Sequence, residues 1–181
     1  FATLRCARCH DAALPPELLK DIEEGVSMPE LAIDAPNLAD VGGRLNAAWM
    51  AKWISDPRSL RPDATMPRLL HGPQAAKDAA DIAGYLATLG KRDDPPPEAP
   101  PAEQIAAGGS LLAKLGCIGC HTLPERETPA EGRVPLRYVR AKWKTQALRE
   151  FLRQPDKHYA WIRMPNFRLK NNHQKKNTSK P

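Results

Sequence analysis

The stretch LRCARCHDAALP, residues 4–15, contains two cysteines separated by two residues and followed at once by a histidine. A similar stretch, LGCIGCHTLP, returns at residues 115–124. Together the two Cys-x-x-Cys-His motifs use all four cysteines of the 181-residue chain. The motifs could be two metal clips, two redox disulfides, two haem attachment sites or the two halves of one zinc site.

The similarity between the two parts of the chain extends beyond the cysteines. A shift of 111 residues superposes the first motif on the second, and a shift of 98 superposes residues 38–67 on residues 136–165. The shifts differ by 13 residues, so the second copy has a shorter loop after its motif. We interpret the chain as two copies of one design. The 98-residue shift matches eight residues of the first copy with eight of the second. In order, these are Leu38, Val41, Arg44, Met50, Trp53, Ile54, Pro57 and Met66, and Leu136, Val139, Lys142, Leu148, Phe151, Leu152, Pro155 and Met164.

Cys-x-x-Cys-His is the signature of covalent haem c attachment. Two thiols in one tight turn can add to the two vinyl groups of a haem, and the histidine that follows then faces the iron. A thioredoxin-like motif has no need of the histidine and belongs on a βαβ unit, which this sequence does not predict. A zinc ribbon needs its second cysteine pair within roughly 15–20 residues. The motifs therefore predict two haem c groups, attached through Cys6 and Cys9 and through Cys117 and Cys120, with His10 and His121 as iron ligands.

A methionine occupies the same position late in each copy. Met66 and Met164 are each followed by proline, and each lies nine residues beyond a proline that ends a predicted helix, Pro57 or Pro155. A residue before proline is biased away from the helix, so both methionines are expected in extended turns. Thioether sulfur is a known sixth ligand of haem iron. We predict that Met66 and Met164 complete the two iron sites.

Other methionines and histidines are weaker candidates for the sixth ligand. Met28 and Met50 have no matching methionine in the other copy and are assigned to packing. His71, His158 and His173 can in principle replace a methionine. His158 is the serious rival, because it lies in the loop just before the second Met-Pro pair, although its counterpart is not a histidine.

The remaining pattern predicts helices and no convincing strand. Residues 46–57 are predicted to form a helix with one apolar face, which has Asn46 as its N-cap and ends at Pro57. Residues 145–155 repeat this helix, with Thr145 as N-cap and Leu148, Phe151 and Leu152 buried. Further amphipathic helices are expected over residues 72–90, with Gly90 as C-cap, and over residues 101–116, ending at Gly116. The predicted fold class is all-α.

These residues resemble a known family. VGGRLNAAWMAKWISDPRSLRPDATMPRL (residues 41–69) and REFLRQPDKHYAWIRMPNFRL (residues 149–169) are similar to class I cytochrome c modules attached to larger bacterial redox proteins. The whole chain resembles a dihaem c-type cytochrome made of two such modules. The resemblance implies three or four helices wrapped around each haem, and a role in electron transfer.

The resemblance divides the chain into modules at 1–90 and 105–169, a proline-rich linker at 91–104, and a polar basic tail at 170–181. In the family a helix with a glycine about nine residues before the first cysteine crosses a C-terminal helix. Gly108 suits this role in the second module, whereas Cys6 has only five residues before it. The second module in turn lacks a C-terminal helix. We expect the chain to belong to a longer polypeptide, or another subunit to supply the packing.

The net charge differs between the two parts of the chain, and this difference bears on the kind of partner that each could bind. Residues 1–90 carry a net charge of −3 and residues 105–181 a net charge of +11. No nucleic-acid-binding motif accompanies the basic part, so we do not expect the chain to bind nucleic acid. A basic surface near a haem edge would steer an acidic redox protein to it. Four cations are candidates to neutralise haem propionates, and two aromatic residues are candidates to pack on haem: Arg44, Arg58, Arg61 and Lys142, and Trp53 and Phe151.

Together these features predict a dihaem electron carrier, or the electron-carrying segment of a larger oxidoreductase, and not an enzyme in itself. The alternatives are a dihaem peroxidase with one haem that can open, and a haem-based sensor or structural module. A methionine in both copies argues against the peroxidase. No apolar run reaches the 18–20 residues of a membrane span. Since haem c attachment is completed outside the bacterial cytoplasm, we expect a periplasmic or other extracytoplasmic location.

Overall fold

The structure is a computed structural model, and it describes residues 4–10, 35–90, 98–125, 132–157 and 162–169. This part of the chain is mostly helical, in agreement with the predicted fold class. Its seven α-helices are α1 (Val41–Arg44), α2 (Ala47–Ser55), α3 (Pro57–Leu60), α4 (Ala75–Ala87), α5 (Ala102–Lys114), α6 (Val139–Lys142) and α7 (Thr145–Arg153). There are also single 3-10 turns at Cys6–Arg8, Cys117–Gly119 and Pro155–Lys157, and two short strands, β1 (His121–Thr122) and β2 (Val134–Pro135), which pair in parallel.

The helices reproduce the repeat found in the sequence. The bounds of α6 and α7 are those of α1 and α2 shifted by 98 residues, and the 3-10 turns of the cysteine motifs differ by 111. The residue before each motif, Arg5 or Gly116, has a left-handed backbone, with φ of 56° and 73°. Each motif therefore starts from the same sharp reversal of the chain. We call the parts of the chain on either side of the linker the first and second repeats.

The helix starts differ from the prediction. Asn46 precedes α2, but its side chain does not cap the helix. Its amide instead donates to the carbonyl oxygens of Ala141 and Trp143 in the second repeat, at 2.9 and 3.3 Å. Thr145 is the first residue of α7, and the N-cap position is Lys144, whose side chain makes no capping bond. Contacts between the repeats have taken the place of local capping.

Residues from both repeats build one hydrophobic core. Its buried members include Trp49 and Met50 of α2 and Leu86 of α4, together with Trp143 and Ala147 of the second repeat. Met50 is 3% exposed, so its predicted role in packing is confirmed. The residues predicted to be buried on α7, Leu148, Phe151 and Leu152, are only partly buried, whereas Ala147 of the same helix is 3% exposed.

The two repeats meet symmetrically. Leu45 pairs with Trp143, its own equivalent, in an antiparallel bridge. The Asn46 N–H donates to the carbonyl oxygen of Lys142, and the Lys144 N–H donates to the carbonyl oxygen of Arg44, both at 2.9 Å. These bonds are equivalent under the 98-residue shift, and α2–α6 and α1–α7 are the matching helix contacts. Such reciprocal contacts are those of a twofold axis, which we call the inter-repeat axis.

Helix α4 packs on α2 and α1 through its small residues. Ala79 and Ala83 are each 1% exposed, and a side chain at Gly42 of α1 would meet the carbonyl oxygen of Ala87 at 2.3 Å. The backbones of α1 and α4 can approach this closely only because position 42 is glycine. The equivalent residue of the second repeat is Arg140, which is exposed.

Helix α5 confirms the helix predicted over residues 101–116, but no residue of α5 is buried. Ile105 and Leu111 are 60% and 53% exposed. None of the helices within the described ranges is both long enough and apolar enough to span a membrane. The predicted linker lies partly outside these ranges, at 91–97, and its last three residues belong to α5.

Candidate functional site

Each cysteine motif forms one tight turn. In the first, the His10 N–H donates to the carbonyl oxygen of Cys6 at 3.0 Å. In the second, the Cys120 N–H donates to the carbonyl oxygen of Cys117 at 3.2 Å. All four cysteines are free thiols, and burial raises the pKa of the Cys6 thiol. The motifs therefore present two thiols and a histidine each, with no disulfide among them.

The two histidines make the same hydrogen bond. His10 Nδ1 lies 2.9 Å from the carbonyl oxygen of Pro36, and His121 Nδ1 lies 3.2 Å from that of Val134. A carbonyl oxygen only accepts, so Nδ1 is the protonated donor in each of these bonds, and Nε2 of each ring makes no hydrogen bond to the residues that the structure describes. Pro36 and Val134 are 98 residues apart, and so the acceptors are repeat-equivalent as well.

This hydrogen bond is the arrangement that metal-bound histidines usually have. The partner of the second ring nitrogen sets the tautomer and holds the ring in orientation. Burial lowers the pKa of His10, and this effect outweighs the opposite influence of the Pro36 carbonyl. His10 is therefore a neutral imidazole at physiological pH, with Nε2 able to act as a ligand.

Local backbone chemistry explains why the two sites are not identical. In the second repeat the Val134 N–H donates to the carbonyl oxygen of Cys120 at 2.9 Å, which holds β2 against β1 and His121. The equivalent residue in the first repeat is Pro36, which has no N–H to donate. The short strand pair of the second repeat, which the sequence did not predict, thus has no counterpart at Pro36.

Residues that flank the first cysteine motif and the first Met-Pro pair share one small buried cluster. Leu4, two residues before Cys6, packs on a buried cluster that contains Leu70, four residues after Met66. The indole Nε1 of Trp53 donates to Met66 Sδ at 3.0 Å. A thioether sulfur has two lone pairs, so this bond leaves one for a metal. The sequence placed Trp53 against haem, but this contact to the proposed ligand was not predicted.

The second Met-Pro pair occupies the same kind of segment as the first. Met164 is partly exposed, like Met66, and lies at a similar bend. Asp63 has a lowered pKa, chiefly because Arg61 donates to it, and the charge of Arg163 contributes to the same shift. The described residues form no packing cluster around Met164 comparable to the one behind Met66. Phe151, the counterpart of Trp53, contacts Trp143 with ring centroids 4.8 Å apart.

Arg44 and Lys142 are the cations best placed to meet an anionic group. Arg44 is 2% exposed and donates to Asp40 at 2.9 Å and to the Asn37 carbonyl, yet its buried Nη1 atom has no partner among the described residues. Lys142 Nζ lies 4.8 Å from the centre of the Trp49 ring. Of the other predicted cations, Arg58 is exposed and Arg61 pairs with Asp63 at 2.9 Å.

The residues present suit haem c in several respects. Each repeat offers two thiols in one turn, an imidazole with a free Nε2, and a methionine in an irregular segment. Buried unpartnered donors near the inter-repeat axis suit carboxylates, and haem carries two of them. A cavity of about 230 Å³ lies beside His121, lined by Ile118, His121, Thr122, Leu123, Glu125 and Arg133. When bound, haem would supply an iron that gains and loses one electron.

A shared zinc site finds no support. Among the residues that the structure describes, which include all four cysteines, no group of three or more His, Cys, Asp or Glu could hold a metal ion. The position of His71 is exposed, and His158 and His173 lie outside the described residues, as does Met28.

Comparison with protein-family models, with curated proteins and with solved structures found no match.

Proposed function

We propose that this chain is a dihaem c-type cytochrome whose function is electron transfer, as a carrier or as a segment of a larger oxidoreductase. Each haem is attached through one Cys-x-x-Cys pair, at Cys6 and Cys9 and at Cys117 and Cys120. His10 and Met66 would ligate the first iron, and His121 and Met164 the second. The chain itself supplies attachment, axial ligation and burial, while the iron supplies the redox chemistry.

The observation that carries this proposal is the shared hydrogen bond of the two histidines. His10 and His121 are 111 residues apart, their acceptors Pro36 and Val134 are 98 apart, and neither Nε2 atom has a hydrogen-bond partner within the described part of the chain. An iron ligand needs such a bond at each motif, because a partner on Nδ1 holds the ring in the orientation that directs Nε2 at the metal.

Two methionine ligands favour a carrier over an enzyme. A His/Met iron has no open position for a substrate, and thioether ligation stabilises the reduced iron. The peroxidase alternative needs one haem that loses its sixth ligand. The sensor alternative needs a ligand-dependent change in partner binding. An acidic redox protein is the proposed partner of the basic second repeat, and the proposed location is the periplasm or another extracytoplasmic compartment.

Haem content tests the proposal. The chain should be produced with the bacterial haem c attachment machinery, and its haem should be counted on denatured protein against protein mass. We expect two covalently bound haems, and one after Cys6→Ser with Cys9→Ser or after Cys117→Ser with Cys120→Ser. Bound zinc, or haem lost on denaturation, would contradict the proposal.

The methionine ligands need a separate test. Met66→Ala and Met164→Ala should each lower the midpoint potential of one haem and allow carbon monoxide to bind to it when reduced. Met50→Leu is the matched control, because Met50 is 3% exposed in the core and is not a proposed ligand. Ready binding of carbon monoxide by the unaltered protein would favour the peroxidase. If both alanine variants behave like Met50→Leu, the ligand assignment is wrong.

A further inference from the structure

The carbonyl oxygens that orient the two histidines are held in different ways. In the second repeat, the Val134 N–H donates to the carbonyl oxygen of Cys120 at 2.9 Å, and this bond fixes the residue whose carbonyl faces His121. The equivalent residue of the first repeat is Pro36, which has no N–H and cannot form that bond. The bond between His10 Nδ1 and the Pro36 carbonyl is nevertheless 2.9 Å long, against 3.2 Å at His121. The Pro36 carbonyl therefore needs a support other than strand pairing.

Arg44 binds the residue that directly follows Pro36. Its Nη2 donates to the carbonyl oxygen of Asn37, and its Nε donates to Asp40 at 2.9 Å. The Asn37 side chain in turn accepts from the Ala39 N–H at 2.8 Å. The carbonyl of Pro36 and the N–H of Asn37 belong to one planar peptide group. Bonds that fix Asn37 therefore also fix the direction of the Pro36 carbonyl.

Arg44 is itself buried and anchored. It is 2% exposed at the end of α1, and its backbone carbonyl accepts from the Lys144 N–H of the second repeat at 2.9 Å. A guanidinium stays charged at physiological pH and presents five N–H donors in one plane, so one side chain can bind two acceptors in a fixed geometry. Arg44 thus joins Asn37 to α1 and, through its own backbone, to the second repeat.

The second repeat does not repeat this pair of charges. The 98-residue shift carries Asp40 onto Tyr138 and Arg44 onto Lys142. The Lys142 ammonium lies 4.8 Å from the centre of the Trp49 ring. Burial lowers the pKa of Lys142 to about 8, and the charges of two arginines act in the same direction. The arginine that holds a carbonyl thus occurs in the repeat where proline has removed the strand bond.

We propose that Arg44 is a positioning residue of the first iron site: it holds the peptide group between Pro36 and Asn37, and the Pro36 carbonyl thereby holds the ring of His10. This inference rests on the proposed function, since it takes His10 as an iron ligand. Strand pairing does the same work for His121. The role depends on the donor atoms of the guanidinium, and not on its charge alone.

The test follows the ring protons of the two histidines in the haem-loaded protein. The chain has five histidines, so isotopic labelling of histidine nitrogen lets nuclear magnetic resonance observe both ligand rings in the reduced, diamagnetic state. Arg44→Met removes both donor bonds and keeps a long side chain in the buried space. We expect the Nδ1 proton of His10 to exchange with solvent roughly tenfold faster, in line with the net contribution of one hydrogen bond. Exchange at His121 in the same molecule should stay as it is.

Lys142→Met is the matched control, because it removes one positive charge at the repeat-equivalent position. It should leave exchange at both rings unchanged, since backbone bonds hold Val134. Asp40→Ala keeps the charge of Arg44 and removes one of its two acceptors, so it should speed exchange at His10 by less. The Asp40 side chain is 48% exposed, and this variant tests the inference if Arg44→Met does not fold.

Failure of this inference and failure of the proposed function give different results. If Arg44→Met keeps two covalent haems and exchange at His10 does not change, Arg44 is not a positioning residue and the cytochrome proposal stands. Equal acceleration at His10 and His121 also overturns the inference, because the effect would not then come from the Pro36 segment. Acceleration in Lys142→Met as large as in Arg44→Met overturns it too, since charge alone would explain the result. A chain that carries no covalent haem overturns the proposed function itself.

Discussion

Replacing Trp53 by phenylalanine should lower the redox potential of one haem and leave the other unchanged. The indole Nε1 of Trp53 donates to Met66 Sδ at 3.0 Å. This bond withdraws electron density from the sulfur that we propose as an iron ligand, which favours the reduced iron. The counterpart of Trp53 is Phe151, which has no donor, so Trp53→Phe makes the first repeat resemble the second at this position.

The size of the effect follows from the strength of the bond. A neutral hydrogen bond contributes a net 0.5–1.5 kcal/mol in proteins, roughly. For a one-electron couple, about 1.4 kcal/mol corresponds to about 59 mV. The hydrogen bond stabilises the reduced iron relative to the oxidised iron. If most of its free energy contributes to that difference, Trp53→Phe lowers the midpoint potential of the first haem by roughly 20–60 mV. Loss of the ligand itself would open the iron to carbon monoxide, which this variant should not do.

Spectroelectrochemical titration of the unaltered protein and of Trp53→Phe measures the change. Phe151→Leu is the control, since it alters the equivalent ring in the second repeat and removes no donor. A potential that stays the same or rises in Trp53→Phe would refute the reasoning. An equal fall for both haems would refute it too, because the bond belongs to the first repeat alone.

In a urea titration, Gly42→Ala should lower the free energy of unfolding by about 1–3 kcal/mol, because its Cβ would meet the Ala87 carbonyl oxygen at 2.3 Å. Gly84→Ala should instead raise it by about 0.5–1 kcal/mol in the same titration, because its Cβ would meet no described atom within 4 Å apart from its chain neighbours and its own helix backbone. Asn46→Ala should cost about 1–3 kcal/mol by the same measurement, since two amide bonds between the repeats are lost, and an unchanged midpoint would show that they contribute nothing. In protein produced without haem, the free energy of unfolding should rise as pH goes from about 8 to 10.5, because Lys142 has a pKa of about 8 when folded and near 10.5 when unfolded, so that the unfolded chain binds more protons in that window. Lys142→Met should abolish this rise, and a rise that persists would contradict the lowered pKa.

Much of the local structure could be predicted from the sequence. The spacing of apolar residues and the positions of proline gave the helices at 47–55 and 145–153 to within a residue or two. Where the prediction failed, a distant part of the chain had displaced a local interaction. Asn46 has the residue type of an N-cap, but the carbonyls of Ala141 and Trp143 take its amide.

The candidate site divides in the same way. The sequence by itself determined the two thiol pairs, the two histidines, the two methionines and their repetition, because these depend on residue type and spacing along the chain. Only the tertiary structure decided that Pro36 and Val134 accept from the histidines and that Trp53 donates to Met66. It also decided that Lys142 crosses to the first repeat. Such contacts join residues far apart in the chain, and they exist only once the helices have packed and the two repeats have met about a common axis.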